Sequence, residues 1–295
     1  MSQFHQPILA KEALKFLAVK PGKNYIDATI GGGGHTKLIL EQSGKVLGID
    51  RDLDAINFAK TSLGKNSNLT LIQGNFDNLT ILAKTNGFEE ISGILFDFGV
   101  SSFQLDTASR GFSFQKTAPL DMRMDHQLAV TAADLVNALS KKELYDLLTK
   151  FAQEKRARAI AAAIVRARTK EPITTTTQLA TLIANVYGGQ KGKPVRRKGG
   201  LHPATKVFQA LRIAVNDELN AIKTALPQAL KLLKPKGRLV TISFHEGEDR
   251  IVKQFLNQNK QYLSILTKKP IQPTKAEIRS NPRARSAKLR AAQKL

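Results

Sequence analysis

The sequence of 295 residues contains no cysteine, which excludes disulfides, cysteine-ligated zinc, iron–sulfur clusters and any thiolate nucleophile. Long apolar runs are missing as well. No stretch approaches the roughly 18 apolar residues of a membrane span, and the N-terminal "MSQFHQPILAKEALKFL" has no uninterrupted apolar run behind basic residues. A cytoplasmic protein without a membrane segment is expected. Acidic residues are scarce: 24 Asp and Glu stand against 46 Lys and Arg, for a net charge of +22. Such a surface concentrates polyanions, so nucleic acid is the leading partner. A basic protein that binds nothing in particular is the alternative that charge alone leaves open. With 42% apolar residues, the chain can build a sizeable core.

The first hundred residues alternate two periodicities. Short apolar runs "NYIDAT" (24–29), "KVLGID" (45–50), "LTLIQGNF" (69–76) and "SGILFDFG" (92–99) alternate with helical stretches such as "DAINFAKTSLG". Strand, helix, strand, helix predicts a parallel sheet with both faces covered, whose ligands bind at the carboxyl ends of the strands. Strand signals then stop. Residues 141–168 carry Leu144, Leu147, Leu148 and Phe151, then Ile160, Ala161, Ile164 and Val165, along helical stripes, and "TTTQLATLIANVY" predicts a further helix behind a threonine cap.

This helical insertion ends in "GGQKGKPVRRKGG" (188–200), whose five basic residues and five glycines, with no acid, predict a mobile loop. From Ala204, the stripe Phe208, Leu211, Val215, Leu219, Ile222 and Leu226 predicts one helix packed on the sheet, kinked or restarted at Pro227. "LKPKGRLVTISF" predicts a fifth strand, and "RARSAKLR", in a tail with nine basic residues and one Glu from Lys268 on, reads as a last strand and an RNA contact.

"DATIGGGGHTKL" (27–38) brings a strand to four glycines at the start of a helix. Glycines let backbone amides approach a ligand, and the positive helix end favours a carboxylate or phosphate. Asp50, ending the next strand, suits the two hydroxyls of a ribose. Together they imply a nucleoside-containing cofactor. The dinucleotide fingerprint requires a third glycine where this chain has Thr36, so S-adenosylmethionine fits better than NAD. Phe76 reads either as a wall for an adenine or as a core residue. Asp97, among Leu95, Phe96 and Phe98, needs a partner or a role, and it ends the fourth strand where a methyl acceptor would sit.

The motifs "DATIGGGGHT", "GIDRD", "DFGVSSFQLD", "RGFSF", "PLDMRMD", "HPATKVFQALRIAVNDEL", "ISFH" with "EDRIVK", and "NPRARSAKLR", in that order over nearly the whole chain, resemble the bacterial ribosomal RNA small subunit methyltransferase H family. The resemblance implies an α/β class I S-adenosylmethionine-dependent methyltransferase fold, Rossmann-like, with a mostly parallel seven-stranded sheet. It places that domain at 1–105 and 206–295, with an all-helical insertion domain at 106–205. S-adenosyl-L-methionine is the implied cofactor, and the implied reaction is methylation of N4 of cytosine-1402 in the decoding region of 16S rRNA. The implied partner is 16S rRNA in the small ribosomal subunit; neither DNA nor membrane is expected, and a homodimer is left open.

Carried over by position, the implied cofactor contacts are Gly33, Gly34, His35, Asp50, Phe76, Asp97 and Gln104. The sequence departs from the family pattern at Glu246 and Gly247 in "FHEGEDR", and at "FAQEKR".

Transfer to an exocyclic amine requires a group that accepts a hydrogen bond from N4 and then its proton. Asp97 is the expected catalytic residue, with Ser101, Ser102 and His245 nearby. No metal is expected: "HEGED" lacks a second histidine at helical spacing. The missing thiol also disfavours methylation at C5, which ordinarily starts with thiolate addition to the ring. Arg110, Arg123, Arg156, Arg158, Arg166 and Arg168, with Lys191, Lys193, Arg196, Arg197 and Lys198 of the loop, are the expected phosphate-facing residues. Two rival readings are a methyltransferase acting on another RNA or a protein, and a catalytically silent RNA-binding assembly factor.

Overall fold

The computed structural model describes residues 7–188 and 202–295, and the chain divides into two compact units, Met1–Ser102 with Leu219–Leu295, and Phe103–Glu218. The first unit opens with helix α1 (Ala10–Leu17), then alternates β1 (Asn24–Asp27), α2 (Gly34–Glu41), β2 (Lys45–Asp50), α3 (Leu53–Leu63), β3 (Leu69–Gln73), α4 (Leu79–Thr85) and β4 (Ile91–Asp97). After α5 (Ser102–Asp106) come the helices of the second unit: α6 (Ala132–Ala138), α7 (Lys141–Ala152), α8 (Ala157–Arg168), α9 (Thr176–Val186) and α10 (Ala204–Asn216). The first unit resumes with α11 (Glu218–Leu232), β5 (Leu233–Ser243), α12 (Glu246–Gln258), β6 (Leu263–Ile265), α13 (Lys275–Ser280) and β7 (Lys288–Lys294).

The seven strands form one sheet in the order β3-β2-β1-β4-β5-β7-β6. Every pairing from β3 to β5 is parallel, and β7 alone runs against its neighbours β5 and β6. This is the class I methyltransferase topology, with the order reversing between β1 and β4. Alternate residues of each strand feed opposite faces. Ile26, Leu47, Ile94, Phe96 and Leu239 pack with Ile222, Leu226 and Val252 on one side. Tyr25, Val46, Leu95, Val240 and Leu289 pack with Leu9, Ala13 and Leu17 of α1 on the other.

The reversed strand is held by a buried ion pair. Arg290 of β7 donates from Nε to Asp249 Oδ1 at 2.7 Å and from Nη2 to Oδ2 at 3.1 Å, both residues being under 10% exposed. Arg290 is therefore part of the core, not the RNA contact expected of "RARSAKLR". The strand half of that expectation holds, although "RARS" itself forms a 3-10 turn before β7.

In the second unit, capping boxes start three helices: Thr131 with Asp134, Ser140 with Glu143, and Thr175 with Gln178. The expected boundary at residue 206 falls elsewhere in the structure. Helix α10 belongs to this unit and packs chiefly on α7, so its stripe Val207, Phe208 and Leu211 is buried among helices. The single long helix expected from Ala204 is broken at Asp217, which adopts the left-handed region at φ 48°, while Pro227 lies inside α11. Arg212 and Glu218 bridge that break through hydrogen bonds of 2.8 and 2.9 Å. The expected loop at 188–200 lies, beyond Gly188, outside the described residues. No helix among the described residues is long and apolar enough to cross a membrane.

Two substitutions test this account. Gly111 has φ +74°, and a Cβ there would lie 2.5 Å from the Pro119 carbonyl oxygen and 2.6 Å from the Asp121 nitrogen. Gly111→Ala is expected to lower urea stability by roughly 2–4 kcal/mol, because neither backbone atom can yield cheaply. Asp249→Ala, which strands a buried guanidinium, is expected to cost about 3–5 kcal/mol in the same assay, and a loss below about 1 kcal/mol would show the pair to be solvated.

Candidate active site

Parallel strands deliver their last residues to one rim of the sheet, and three of them end in aspartate: Asp27 on β1, Asp50 on β2 and Asp97 on β4. Strands β1 and β4 are neighbours at the point where the order reverses, the usual ligand position in open α/β sheets. Asp50 accepts hydrogen bonds from the Gly31 amide on Oδ2 at 2.9 Å and from the Asp52 amide on Oδ1 at 3.0 Å. Burial pushes its pKa up to about 6 against the pull of these two amides. Each carboxylate oxygen still has capacity for one more donor, so the pair can meet two adjacent hydroxyls.

The glycine loop has causes inside the protein. Gly31 at φ +48° and Gly33 at φ +78° occupy the left-handed region, which turns the chain from β1 into α2. A Cβ on Gly33 would lie 2.9 Å from Leu63, and one on Gly34 would lie 3.1 Å from Pro7. At Gly33 the left-handed backbone calls for glycine, and at Gly34 a side chain would press on the Pro7 ring. The Gly31 amide is committed to Asp50 and the Gly33 amide to the Ile30 carbonyl at 2.7 Å, so neither remains for a ligand. Thr36, standing where a dinucleotide fold has glycine, is fully buried and donates to Asp27 Oδ2 at 2.7 Å.

That hydrogen bond ties the loop to a second cluster. His35 is 7% exposed, with Nε2 3.5 Å from Asp97 Oδ2, an ion-pair contact longer than a hydrogen bond. Both His35 Nε2 and Asp97 Oδ1 are enclosed and without a hydrogen-bond partner. Burial opposes charge on His35, but Asp97 and then Asp27 outweigh it and raise the pKa above its ordinary 6.5. Asp27 is itself raised, chiefly by burial, with His35 and the Thr36 hydroxyl pulling it down. Thr29 joins the two acids: its amide donates to Asp27 Oδ1 at 3.3 Å, and its hydroxyl accepts the Asp97 amide at 2.7 Å. Asp27, Thr29 and Thr36 were not among the residues expected from the sequence. An acid closing β1 in the same way as Asp50 and Asp97 close their strands was the available signal.

Phe76 lies in a 3-10 turn after β3 and is half-buried, edge-on to Phe96 at 5.7 Å, with the Arg51 guanidinium 5.6 Å above its ring. Gln104 is buried on α5 and belongs to the second unit, outside the set assembled on the first. Ser101 and Ser102 follow β4 at the start of α5. His245 caps α12. Its Nδ1 accepts the Gly247 amide at 3.2 Å, and its Nε2 lies 3.1 Å from Glu248 Oε1. Nδ1 is engaged in the cap, while Nε2 is buried and makes no hydrogen bond. A Cβ on Gly247 would lie 3.1 Å from the His245 ring, so the glycine that departs from the family pattern suits this cap.

Several of the expected phosphate-facing arginines are structural. Arg110 is 5% exposed and donates to the Arg123 and Met124 carbonyls. Arg123 makes a bidentate pair with Asp121, at 2.9 and 2.8 Å, which holds that carboxylate below its usual range. Arg156 and Arg168 donate to the carbonyls of Val186 and Val136. Arg158 and Arg166 are exposed. Lys191, Lys193, Arg196, Arg197 and Lys198 lie outside the described residues.

Known proteins share this sequence from end to end. The sequence profile described as the MraW methylase family matches residues 2–295. A ribosomal RNA small subunit methyltransferase H from Thermomicrobium roseum is 46% identical over 316 aligned residues, spanning 100% of this chain and 95% of its own. Its namesake from Caldicellulosiruptor bescii is 45% identical over 311 residues, with 99% of each chain covered. The Deinococcus deserti protein of that name is 46% identical over 294 residues, 100% of this chain and 94% of its own. With the rim of carboxylates, the sheet order and these matches in agreement over the full length, the chain belongs to the MraW methylase family.

Proposed function

We propose that this protein transfers the methyl group of S-adenosylmethionine to the exocyclic N4 of a cytidine in 16S rRNA of the small ribosomal subunit, at position 1402 of the decoding region. The observation that carries the reading is the row of carboxylates that closes β2, β1 and β4 on one rim of the sheet. Asp50, at the end of β2, has an open acceptor on each oxygen, and at the start of α2 and the end of β4 His35 and Asp97 leave enclosed polar atoms unmatched. Residues of this kind fit a nucleoside with a cationic centre. When bound, the cofactor supplies a methyl group made electrophilic by a sulfonium. The names of the relatives at 45–46% identity support rRNA of the small subunit as the substrate.

The chain's own residues then have distinct tasks. Asp50 accepts the ribose hydroxyls, with Gly31 and Asp52 fixing the direction of its oxygens. Phe76, braced by Phe96 and Arg51, walls the adenine side. Gly33, Gly34 and His35 form the loop under the amino-acid end. Asp97 accepts a hydrogen bond from N4, which directs the nitrogen lone pair at the methyl, and it takes the proton once the new bond forms. Alignment of nucleophile and methyl supplies much of the acceleration, so small displacements of Asp97 are costly. The cytidine has to leave its stack to reach the rim. The positive surface, with Arg158 and Arg166 exposed in the second unit, holds phosphates with little sequence readout of its own.

Labelled methyl transfer to small subunits, tRNA and protein tests the substrate, with mass analysis of the nucleosides. One methyl on a cytidine amine of the small-subunit RNA is the expected result, and label on tRNA or protein alone would overturn it. Asp97→Asn is expected to lower kcat by about 10²–10⁴ at saturating cofactor; full turnover would remove Asp97 as proton acceptor. Affinity for S-adenosylmethionine is expected to fall as pH drops through about 6, because protonation turns one Asp50 acceptor into a donor. Calorimetry of Asp50→Asn should show roughly 10–100-fold weaker binding, the loss of hydrogen bonds to a charged group, with the pH dependence flattened.

A further inference from the structure

His35 is buried, ionisable and aimed at the residue assigned to take the proton, yet the tasks above give it only a place in the cofactor loop. It is the second residue of α2, and the acids acting on it come from two strands: Asp97 from β4 and Asp27 from β1. Those two acids share Thr29, through its amide on one side and its hydroxyl on the other. Like charges held this close oppose each other's ionisation unless a cation stands with them. Among the groups acting on Asp27, His35 is the one of opposite sign. The Asp97 side chain, which ends β4 at the rim, is 24% exposed; its Oδ1 is enclosed, and its Oδ2 is the oxygen beside His35.

We infer that His35 is a positioning residue for Asp97: its Nε2 edge, 3.5 Å from Oδ2, fixes the direction in which that oxygen meets the substrate amine. This rests on the methyl-transfer reading above. The nitrogen–carbon bond forms as the carbon–sulfur bond breaks, the electron pair of that bond staying on sulfur, and the amine proton passes to Asp97 Oδ2. Asp97 becomes a neutral acid. The charge on His35 then remains balanced by Asp27, so the cluster does not collapse between turnovers, and Asp97 returns its proton to water. The raised pKa of His35 agrees with this placement.

The test has two arms. In the first, the imidazole nitrogens of 15N-histidine-labelled full-length protein are titrated by NMR without cofactor, the His35 signals being assigned with His35→Gln. The His35 midpoint is expected above 6.5 in the natural protein, and lower by about one pH unit or more in Asp97→Asn and in Asp27→Asn. A midpoint unmoved by Asp97→Asn would overturn the inference, and this result does not need a folded His35 variant. In the second arm, methyl transfer to small subunits is measured against pH. His35→Gln is expected to lower kcat about tenfold and move the acid limb of the profile up by about one pH unit, with the cofactor Kd within about threefold. A weakened Kd with an unmoved acid limb would make His35 a cofactor contact and nothing more. If the natural protein transfers no methyl to subunits, the proposed function fails, and the NMR arm alone decides the coupling.

Discussion

One hydrogen bond organises the rim: the Gly31 amide on the Asp50 carboxylate, at 2.9 Å. It joins the loop after β1 to the end of β2 and settles three things. Gly31 is held in its left-handed turn, α2 starts where His35 and Thr36 face the strand ends, and Asp50 stays ordered at the edge of an apolar sheet. The Ile30 amide on the Ile49 carbonyl and the Ala28 amide on the Leu95 carbonyl continue the same stitching across β2, β1 and β4. Without such anchors, each acid would repel its neighbours and pull water into the core. These bonds give the rim the rigidity that keeps three carboxylates on it.

The positive charge is divided in use. Arg110, Arg123, Arg212 and Arg290 are consumed in joining segments of their own units: two donate into turns of the helical unit, one holds Glu218 just past the end of α10 and one locks β7. A guanidinium is suited to this because its planar fork serves several acceptors at once and stays charged when buried. What remains for a polyanion is the surplus, lysines and arginines such as Arg158, Arg166, Arg279 and Arg285, which are exposed. The net charge of +22 thus says that an anionic partner is favoured, while the identity of the residues that meet it depends on burial.

The sheet was legible because parallel strands buried on both faces have a sequence signature that little else shares, and the acids Asp50 and Asp97 stood out as polar ends of apolar runs. The glycine loop was legible as a turn, but its meaning was not. Leu63 and Pro7, distant in sequence, crowd Gly33 and Gly34, and one sequence cannot reveal such neighbours. The same reason hid the structural arginines, since Asp249 lies 41 residues before Arg290. The break at Asp217 carries no glycine or proline, so Pro227 drew the expectation instead. There the helix tolerates proline, and the turn at 217 is held by the Arg212–Glu218 pair. Thr36 was read only as a glycine that was missing, whereas its hydroxyl is what satisfies Asp27.

These charges explain how one basic protein can handle two partners of opposite sign. A sulfonium is a cation, and the long-range field of the chain would repel it; at the rim, Asp27, Asp50 and Asp97 reverse the sign locally, within a distance shorter than the roughly 8 Å over which salt screens charge. The RNA meets the outer field and is drawn to it. Three carboxylates repel phosphates and do not repel a neutral base. Charge alone then separates backbone from base before any base-specific contact is made. His35 sets the depth of that negative well, because each proton it gains offsets one of the acids. The well is deepest when His35 is neutral, and a cationic ligand would then be held most tightly. Attraction for the methyl donor and steadying of Asp97 therefore make opposite demands on one imidazole, whose pKa the two neighbouring acids raise against the effect of burial.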